Sequence, residues 1–225
     1  NAGVDSAVID IAPLTDGKLL IGGYFSAAGG QPRTRLARLN FDGSADPSFT
    51  IGATASLSSY VLSLLPQANG QVIVCGSFSA LGGVARNNIG RVNANATVDA
   101  SFNPSASGLL SISPLLLENG QLQLSGGFPA RSGLVRLIND PATDSLEVRN
   151  TWQIQWLRGG SAPEAHGVSF ELSTDGGTSW QMLGTGLRTS GGWEINGLTL
   201  PASGQIRARA RYAASGYQFN SGGLV

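Results

Sequence analysis

The chain has one cysteine, one histidine and one lysine in 225 residues, and each scarcity closes a route to chemistry. A lone Cys75 forms no intrachain disulfide, and its setting in the apolar run "QVIVCGSF" predicts a buried thiol acting as a small hydrophobe. A single His166 leaves no histidine pair for a metal and no spare base for a nucleophile. Charged residues make up only 12% of the chain, fourteen basic against fourteen acidic. With no basic tract, nothing points to a phosphate backbone, so nucleic acid is not an expected partner. No apolar run approaches the roughly 18 residues of a membrane-spanning helix. The start, "NAGVDSAVID", lacks the pattern of a signal peptide. Helical periodicity is missing from the first two thirds.

What the chain does have is glycine, 32 residues of it, between short β-branched and aliphatic runs. That balance predicts many tight turns joining short strands. The runs recur. "AVIDIAPLTDGKLLIGGYFSAAGGQPRTRLARLNFDGSADPSF", from Ala7, superposes without a gap on "YVLSLLPQANGQVIVCGSFSALGGVARNNIGRVNANATVDASF", from Tyr60, at an offset of 53. A shortened third copy, "LLSISPLLLENGQLQLSGGFPARSGLVRLINDPATDSLEV", holds Asn119-Gly120 and Phe128 at an offset of 50 and drops about five residues from the loop that follows. Each copy reads as a strand, an Asp-Gly or Asn-Gly turn, a return strand, a Gly-rich loop, a third strand and a closing turn. A period near 50 with three or four short strands predicts propeller-like or solenoid-like β repeats.

The stretch "TDGKLLIGGYFSAAGG…RLARLNFDGSADPSF" resembles the delta-60 repeat, a family of bacterial repeats thought to form β-propeller blades. The resemblance covers about residues 7–148. It implies a protein at the cell surface or outside the cell, built from many blades, and it brings no catalytic residues. Three copies are fewer than the roughly four to eight blades of a closed ring. The expected partners are therefore other copies of the chain or neighbouring domains of a longer one.

Arg38/Asp46, Arg91/Asp99 and Arg136/Asp144 keep a spacing of eight residues through the three copies. The expectation is a structural lock, with Arg reaching the carboxylate or carbonyls across the closing turn. Asp42 and Asp46 around Gly43 offer a second reading, oxygen ligands for Ca²⁺. Asn95 stands where Asp42 does in the second copy, and no copy has the dense acidic run of a calcium loop, so no metal site is assigned.

Composition changes after Pro141: all four tryptophans lie in the last 75 residues. "TWQIQWL" places Trp152, Ile154 and Trp156 on one strand face, and "FELSTDGGTSW…WEINGLTLPASGQIRARARY" resembles fibronectin type III and related Ig-like sandwiches. The expected fold class is all-β. Residues 1–148 form three repeats (7–49, 60–102 and a degenerate 109–148), and 149–225 form an Ig-like β-sandwich. "STDGGTSW" fits S-x-D-x-G-x-x-W, the Asp-box best known from sialidases. A sialidase repeats the box across its blades, and here it occurs once, outside the repeats. Ser173, Asp175, Gly177 and Trp180 are therefore expected to build a structural turn. Ser161, Glu164 and His166 cluster in "LRGGSAPEAHG" without a nucleophile elbow. Glu164 and Glu171 form no recognisable acid–base pair. No catalytic, cofactor or metal residue is assigned.

The function expected is a non-enzymatic structural or adhesive building block. The alternative is a carbohydrate-binding module using exposed aromatics from among Tyr24, Tyr60, Trp193, Tyr212 and Tyr217, with a glycoside hydrolase a distant third. Arg207, Arg209 and Arg211 alternate on one strand, as a solvated face or a dock for an anionic glycan.

Overall fold

The computed structural model describes residues 3–54, 59–104, 113–128 and 131–212. The protein is all-β: among those residues every regular element is a strand, and every paired strand is antiparallel.

Residues of the first repeat form β1 (Val8–Pro13), β2 (Leu19–Gly23), the short pair β3 (Ala27–Ala28) and β4 (Gln31–Pro32), and β5 (Leu36–Leu39). The second repeat follows with β6 (Ala53–Thr54), β7 (Tyr60–Pro66), β8 (Val72–Ser77), β9 (Ala80–Leu81), β10 (Val84–Ala85) and β11 (Ile89–Val92). The third contributes β12 (Ser113–Leu116), β13 (Leu122–Phe128) and β14 (Arg131–Leu137). Each repeat is a three-stranded meander with the return strand in the centre: β1-β2-β5, β7-β8-β11 and β12-β13-β14.

The first hairpin turn is the same object three times. Gly17, Gly70 and Gly120 have φ of +80, +80 and +83, and each donates its N–H to the carbonyl three residues back, on Leu14, Gln67 and Leu117. Asp16, Asn69 and Asn119 accept from the N–H two residues on. Only the glycine needs the left-handed region, which is why the Asp or Asn before it varies and the glycine does not.

Period-2 alternation gives the sheet of the second repeat two apolar faces, and the repeats on either side stack on them. Leu20 and Leu36 of the first repeat bury against Val61, Leu64, Val72 and Val74 of the second. The opposite face of the second, with Leu65, Ile73, Cys75 and Ile89, buries against Leu116, Leu122 and Leu124 of the third. Asp10 on β1 also reaches across, its Oδ2 accepting the Leu64 N–H on β7 at 2.7 Å.

The remaining strands are β15 (Ala142–Asn150), β16 (Gln153–Gly160), β17 (Ala165–Ser173), β18 (Gln181–Thr185), β19 (Leu187–Thr189), β20 (Gly192–Asn196) and β21 (Gln205–Tyr212). They make two sheets, β15-β16-β20-β19 and β18-β17-β21, around one core of Ile154, Val168, Phe170, Trp193, Ile195 and Ala210. β15 crosses position 148, the expected end of the third repeat, and pairs along its length with β16. Trp152 lies in the turn before β16, where it is exposed rather than on the core face with Ile154.

Candidate functional site

The closing turn of each of the first two repeats delivers a buried or nearly buried carboxylate to an arginine on the third strand. The backbone fixes the approach: the Asp46 N–H donates to the Arg38 carbonyl and the Asp99 N–H to the Arg91 carbonyl, both at 2.8 Å. In the first repeat Asp46 Oδ2 takes Arg38 Nε at 2.8 Å and Lys18 Nζ at 2.6 Å, while Oδ1 takes the Ser48 N–H and hydroxyl. Burial opposes ionisation of Asp46, but the bonds from Lys18, Ser48 and Arg38 outweigh it and hold the carboxyl well below the usual range. The second repeat repeats the design with Arg91 and Ser101 on Asp99. Gln71 stands where Lys18 does and reaches Asp99 only at 3.4 Å. Burial again opposes ionisation of Asp99, and Ser101 and Arg91 lower its pKa. Each guanidinium lies 5.0 Å over the ring of a phenylalanine, Arg38 on Phe49 and Arg91 on Phe102.

The third pair does not form. Asp144 sits on β15 opposite Arg158, and no ion pair joins it to Arg136 among the described residues. The closing turn has the same length as in the first two repeats and takes another path. Residues 139–142 turn back on the hairpin, with Asn139 Nδ2 donating to the Gly120 carbonyl and Ala142 N–H to the Asn119 carbonyl, and the chain then leaves into the sandwich. Asn139 and Asp140 instead serve the second lock, accepting from Arg91 at 2.7 and 2.8 Å.

A second clamp escaped the reading of the sequence. Arg33 and Arg86 each donate through NH2 to the carbonyl of the lock aspartate, Asp46 at 3.2 Å and Asp99 at 2.8 Å, and through NH1 to the carbonyl of the residue before them. They align at the 53-residue offset, which was the signal available.

In the β17–β18 hairpin the Ser173 hydroxyl accepts the Gly177 N–H at 2.8 Å and donates to Asp175 Oδ1 at 2.7 Å. Asp175 also accepts from the Ser179 N–H and hydroxyl, which hold its carboxyl below the usual range. Gly177 takes φ +92, and Trp180 Nε1 donates to its carbonyl at 3.0 Å. Arg207 lies 4.0 Å over the Trp180 ring and pairs with Glu171, as does Arg209. Arg211 is exposed. The Ser173, Thr178 and Ser179 hydroxyls, the Asp175 carboxylate and the Trp180 Nε1 are all bonded inside this turn.

Most of the other residues of chemical interest are also engaged or buried. Asp42 accepts from its own Ser44 N–H and hydroxyl. Burial pushes the Cys75 thiol up. Ser161 is fully buried; His166 on β17 keeps much of its surface in solvent, and partial desolvation of its ring lowers its pKa. Burial raises the Glu164 carboxyl, opposed by Arg188, which pairs with it at 3.2 Å, and by Arg158. Among the described residues no three His, Cys, Asp or Glu are grouped as metal ligands. Tyr24 and Tyr60 approach at 5.0 Å between centroids but with planes 40° apart. Trp193 is in the core and Tyr212 lies under Arg158. Tyr217 falls outside the described residues.

The two modules meet at the turn of the second hairpin. Ala68 N–H donates to the Ala162 carbonyl at 2.8 Å, Asn69 N–H to Gly160 at 3.2 Å, and Glu164 N–H to Pro66 at 3.0 Å. Gln67 and Pro163 form an isolated bridge, and the Tyr212 hydroxyl reaches Glu118 at 3.2 Å. No curated protein and no solved structure matches the chain. Residues 14–49 and 67–102, the bulk of the first two meanders with their locks, match a family described as a domain of unknown function (DUF5122) beta-propeller, and these repeats are accordingly of the propeller type.

Proposed function

We propose that the chain is a non-enzymatic structural element, a rigid β-block that displays or joins other modules at the cell surface or outside the cell. The observation that carries it is the junction. Three backbone hydrogen bonds, two of which make up the Gln67–Pro163 bridge, weld residues 66–69 of the repeats to the loop 160–164 ahead of β17, where a linker between independent domains would leave few crossing contacts. The strand order β15-β16-β20-β19 is that of the A-B-E-D sheet of an immunoglobulin-type sandwich, with β17 and β21 as C and F, which supports an Ig-like second module. The Ser173–Trp180 turn, an Asp-box by its pattern, acts as a hairpin clasp because its carboxylate and hydroxyls are consumed internally. The polar groups a hydrolase needs free are engaged in the same way: Glu164 by Arg188, Glu171 by Arg207 and Arg209. The surface location follows the resemblance of the repeats.

The test uses the placement of the four tryptophans, all in the second module. Tryptophan fluorescence reports unfolding of the sandwich and far-UV circular dichroism reports both modules. A welded block unfolds in one transition seen by both probes. Two separated transitions would sink the rigid-block reading. Sugar binding is the rival use of the surface, and the tilted Tyr24–Tyr60 pair is its best platform; a glycan panel that returns a specific ligand lost in Tyr24→Ala would replace the structural reading with it.

A further inference from the structure

At one position the three hairpin turns differ in a way their common backbone does not explain. Leu14, Gln67 and Leu117 are equivalent at the offsets of 53 and 50, and each donates its N–H to the carbonyl four residues on, of Lys18, Gln71 and Gln121. Only the second turn uses a polar residue there. Gln67 is 1% exposed, and neither its Oε1 nor its Nε2 has a hydrogen-bond partner among the described residues. A buried carboxamide in that state costs stability, and leucine, which the other two copies carry, would avoid the cost. A side chain kept at such a cost needs a partner from outside the fold.

Gln67 lines a cavity of about 110 Å³. A wider cavity, of about 420 Å³, opens between the first hairpin turn and the start of β17, with β19 and β20 on its other side. The two share Leu14, Thr15 and Glu164 as walls and so form one cleft along the junction of the modules. Two residues of the wider part, Arg188 and Trp193, carry a buried Nε and Nε1 that also lack a partner among the described residues. One acceptor and three donors are thus orphaned on residues that line the cleft, beside the apolar side chains of Leu14 and Val72. The volumes together fall within the roughly 300–1,000 Å³ of small-molecule sites.

The charges on the walls are already matched. Arg38 pairs with Asp46 and Arg188 with Glu164, and Asp16 lies 4.0 Å from Lys18. An ion entering the cleft meets no free charge of opposite sign. An uncharged molecule rich in hydroxyls meets both the donors and the acceptor it can use.

We infer that this junction cleft binds a small uncharged polyhydroxy compound, a monosaccharide or a cyclic polyol, held by the Gln67 carboxamide and the Arg188 and Trp193 N–H groups. Tyr24 and Tyr60 line neither cavity, so the place is separate from that aromatic pair. The inference goes beyond the structural reading, because the weld that makes the block rigid would also enclose a ligand.

Isothermal titration calorimetry of the full chain with glucose, galactose, mannose, N-acetylglucosamine and myo-inositol tests it, with glucuronate and glucosamine as the charged relatives. At least one neutral compound binds saturably, and the charged relatives bind at least about tenfold more weakly. Gln67→Leu weakens that binding at least about tenfold and raises the urea midpoint of the free chain, because the orphaned carboxamide is gone. Trp193→Phe keeps a ring in the core, removes the Nε1 donor and also weakens binding. If no neutral compound binds, the proposal is overturned and ordered water is left as the partner of Gln67. Binding that survives Gln67→Leu would overturn it too, and loss in Tyr24→Ala instead would move the ligand to the tyrosine pair. A midpoint that falls in Gln67→Leu would show that the carboxamide is satisfied within the fold, and a charged relative that binds more tightly would exclude the uncharged class. None of these results depends on whether sandwich and repeats unfold together, so this proposal and the rigid-block reading fail by different results.

Discussion

The first and third repeats begin with the same hairpin and end differently, and the difference shows what a lock requires. In both, a left-handed glycine closes the turn between the first two strands and an arginine, Arg38 or Arg136, sits on the third. In the first repeat the chain continues through Gly43, bridges back at Leu39–Ala45 and sets Asp46 beside Arg38. In the third the loop before the arginine is shorter, residues 139–142 fold onto Gly120, and the acidic residue leaves with β15 into another sheet. A Cβ on Gly120 would lie 2.7 Å from Asp140 O and from Ala142 N, so the close approach depends on that glycine. The Arg-x₇-Asp spacing is therefore not sufficient for a lock. The backbone bridge that returns the chain is the other half.

The largest expected effect comes from breaking the contrast at the first repeat. Asp46 has 4% of its side chain exposed and holds two cations, Lys18 and Arg38. Asp46→Ala leaves both without their carboxylate and should cost about 3 kcal/mol, a value for an orphaned, largely buried pair near the surface. Asp144→Ala, in the copy where no lock forms, should change stability by under about 0.5 kcal/mol. Urea titrations of the two variants measure both, and equal losses would mean that the third repeat locks as well.

Asp99→Ala should fall between them, at about 2 kcal/mol, because Arg91 keeps Asp140 and Asn139 when Asp99 is removed. The same carboxylates set the acid limit. Asp46 and Asp99 have folded-state pKa values below their unfolded ones, so their contribution is fully present above the unfolded value near pH 4 and is lost as pH falls through the folded values. Stability of the parent chain should decline on acidification below about pH 4, and Asp46→Asn should decline less steeply. Denaturant midpoints between pH 5 and pH 2 test the sign. A variant slope as steep as the parent's would move the acid sensitivity elsewhere.

Much of this was legible in the residues because the chain contains its own comparison. The offset of 53 located the meanders, their turns and two of the locks, since a repeat copies local geometry along with sequence. What it missed is also physical. Arg33 and Arg86 recur at the offset, but the recurrence does not say that their acceptors are main-chain carbonyls. β15 reads as the tail of a repeat because its alternation fits either sheet, and only pairing with β16 decides. The exposure of Trp152 follows from a turn at Asn150, whose side chain accepts the Trp152 N–H and starts β16 one residue later than the alternation suggested.

The smallest effect sharpens the comparison between the first two repeats at one backbone position. The closing turn needs a left-handed residue, and the first repeat supplies Gly43 at φ +82. The second supplies Ala96 at φ +60, one of three non-glycine residues with positive φ among those described. Alanine there pays about 1 kcal/mol in the folded state for its Cβ, while glycine gives back part of that advantage by loosening the unfolded chain. Ala96 also packs partly against the core between the first two repeats, so glycine gives up some burial too. Ala96→Gly should accordingly stabilise by no more than about 0.5 kcal/mol, and Gly43→Ala, which meets no atom within 4 Å, should destabilise by about 1 kcal/mol through conformation alone. Midpoints of thermal unfolding for the two exchanges should move in opposite directions. A loss of stability in both would show that the methyl of Ala96 against the core outweighs the strain at that turn, and that the second repeat has settled its closing turn by packing where the first settled it by freedom of the backbone.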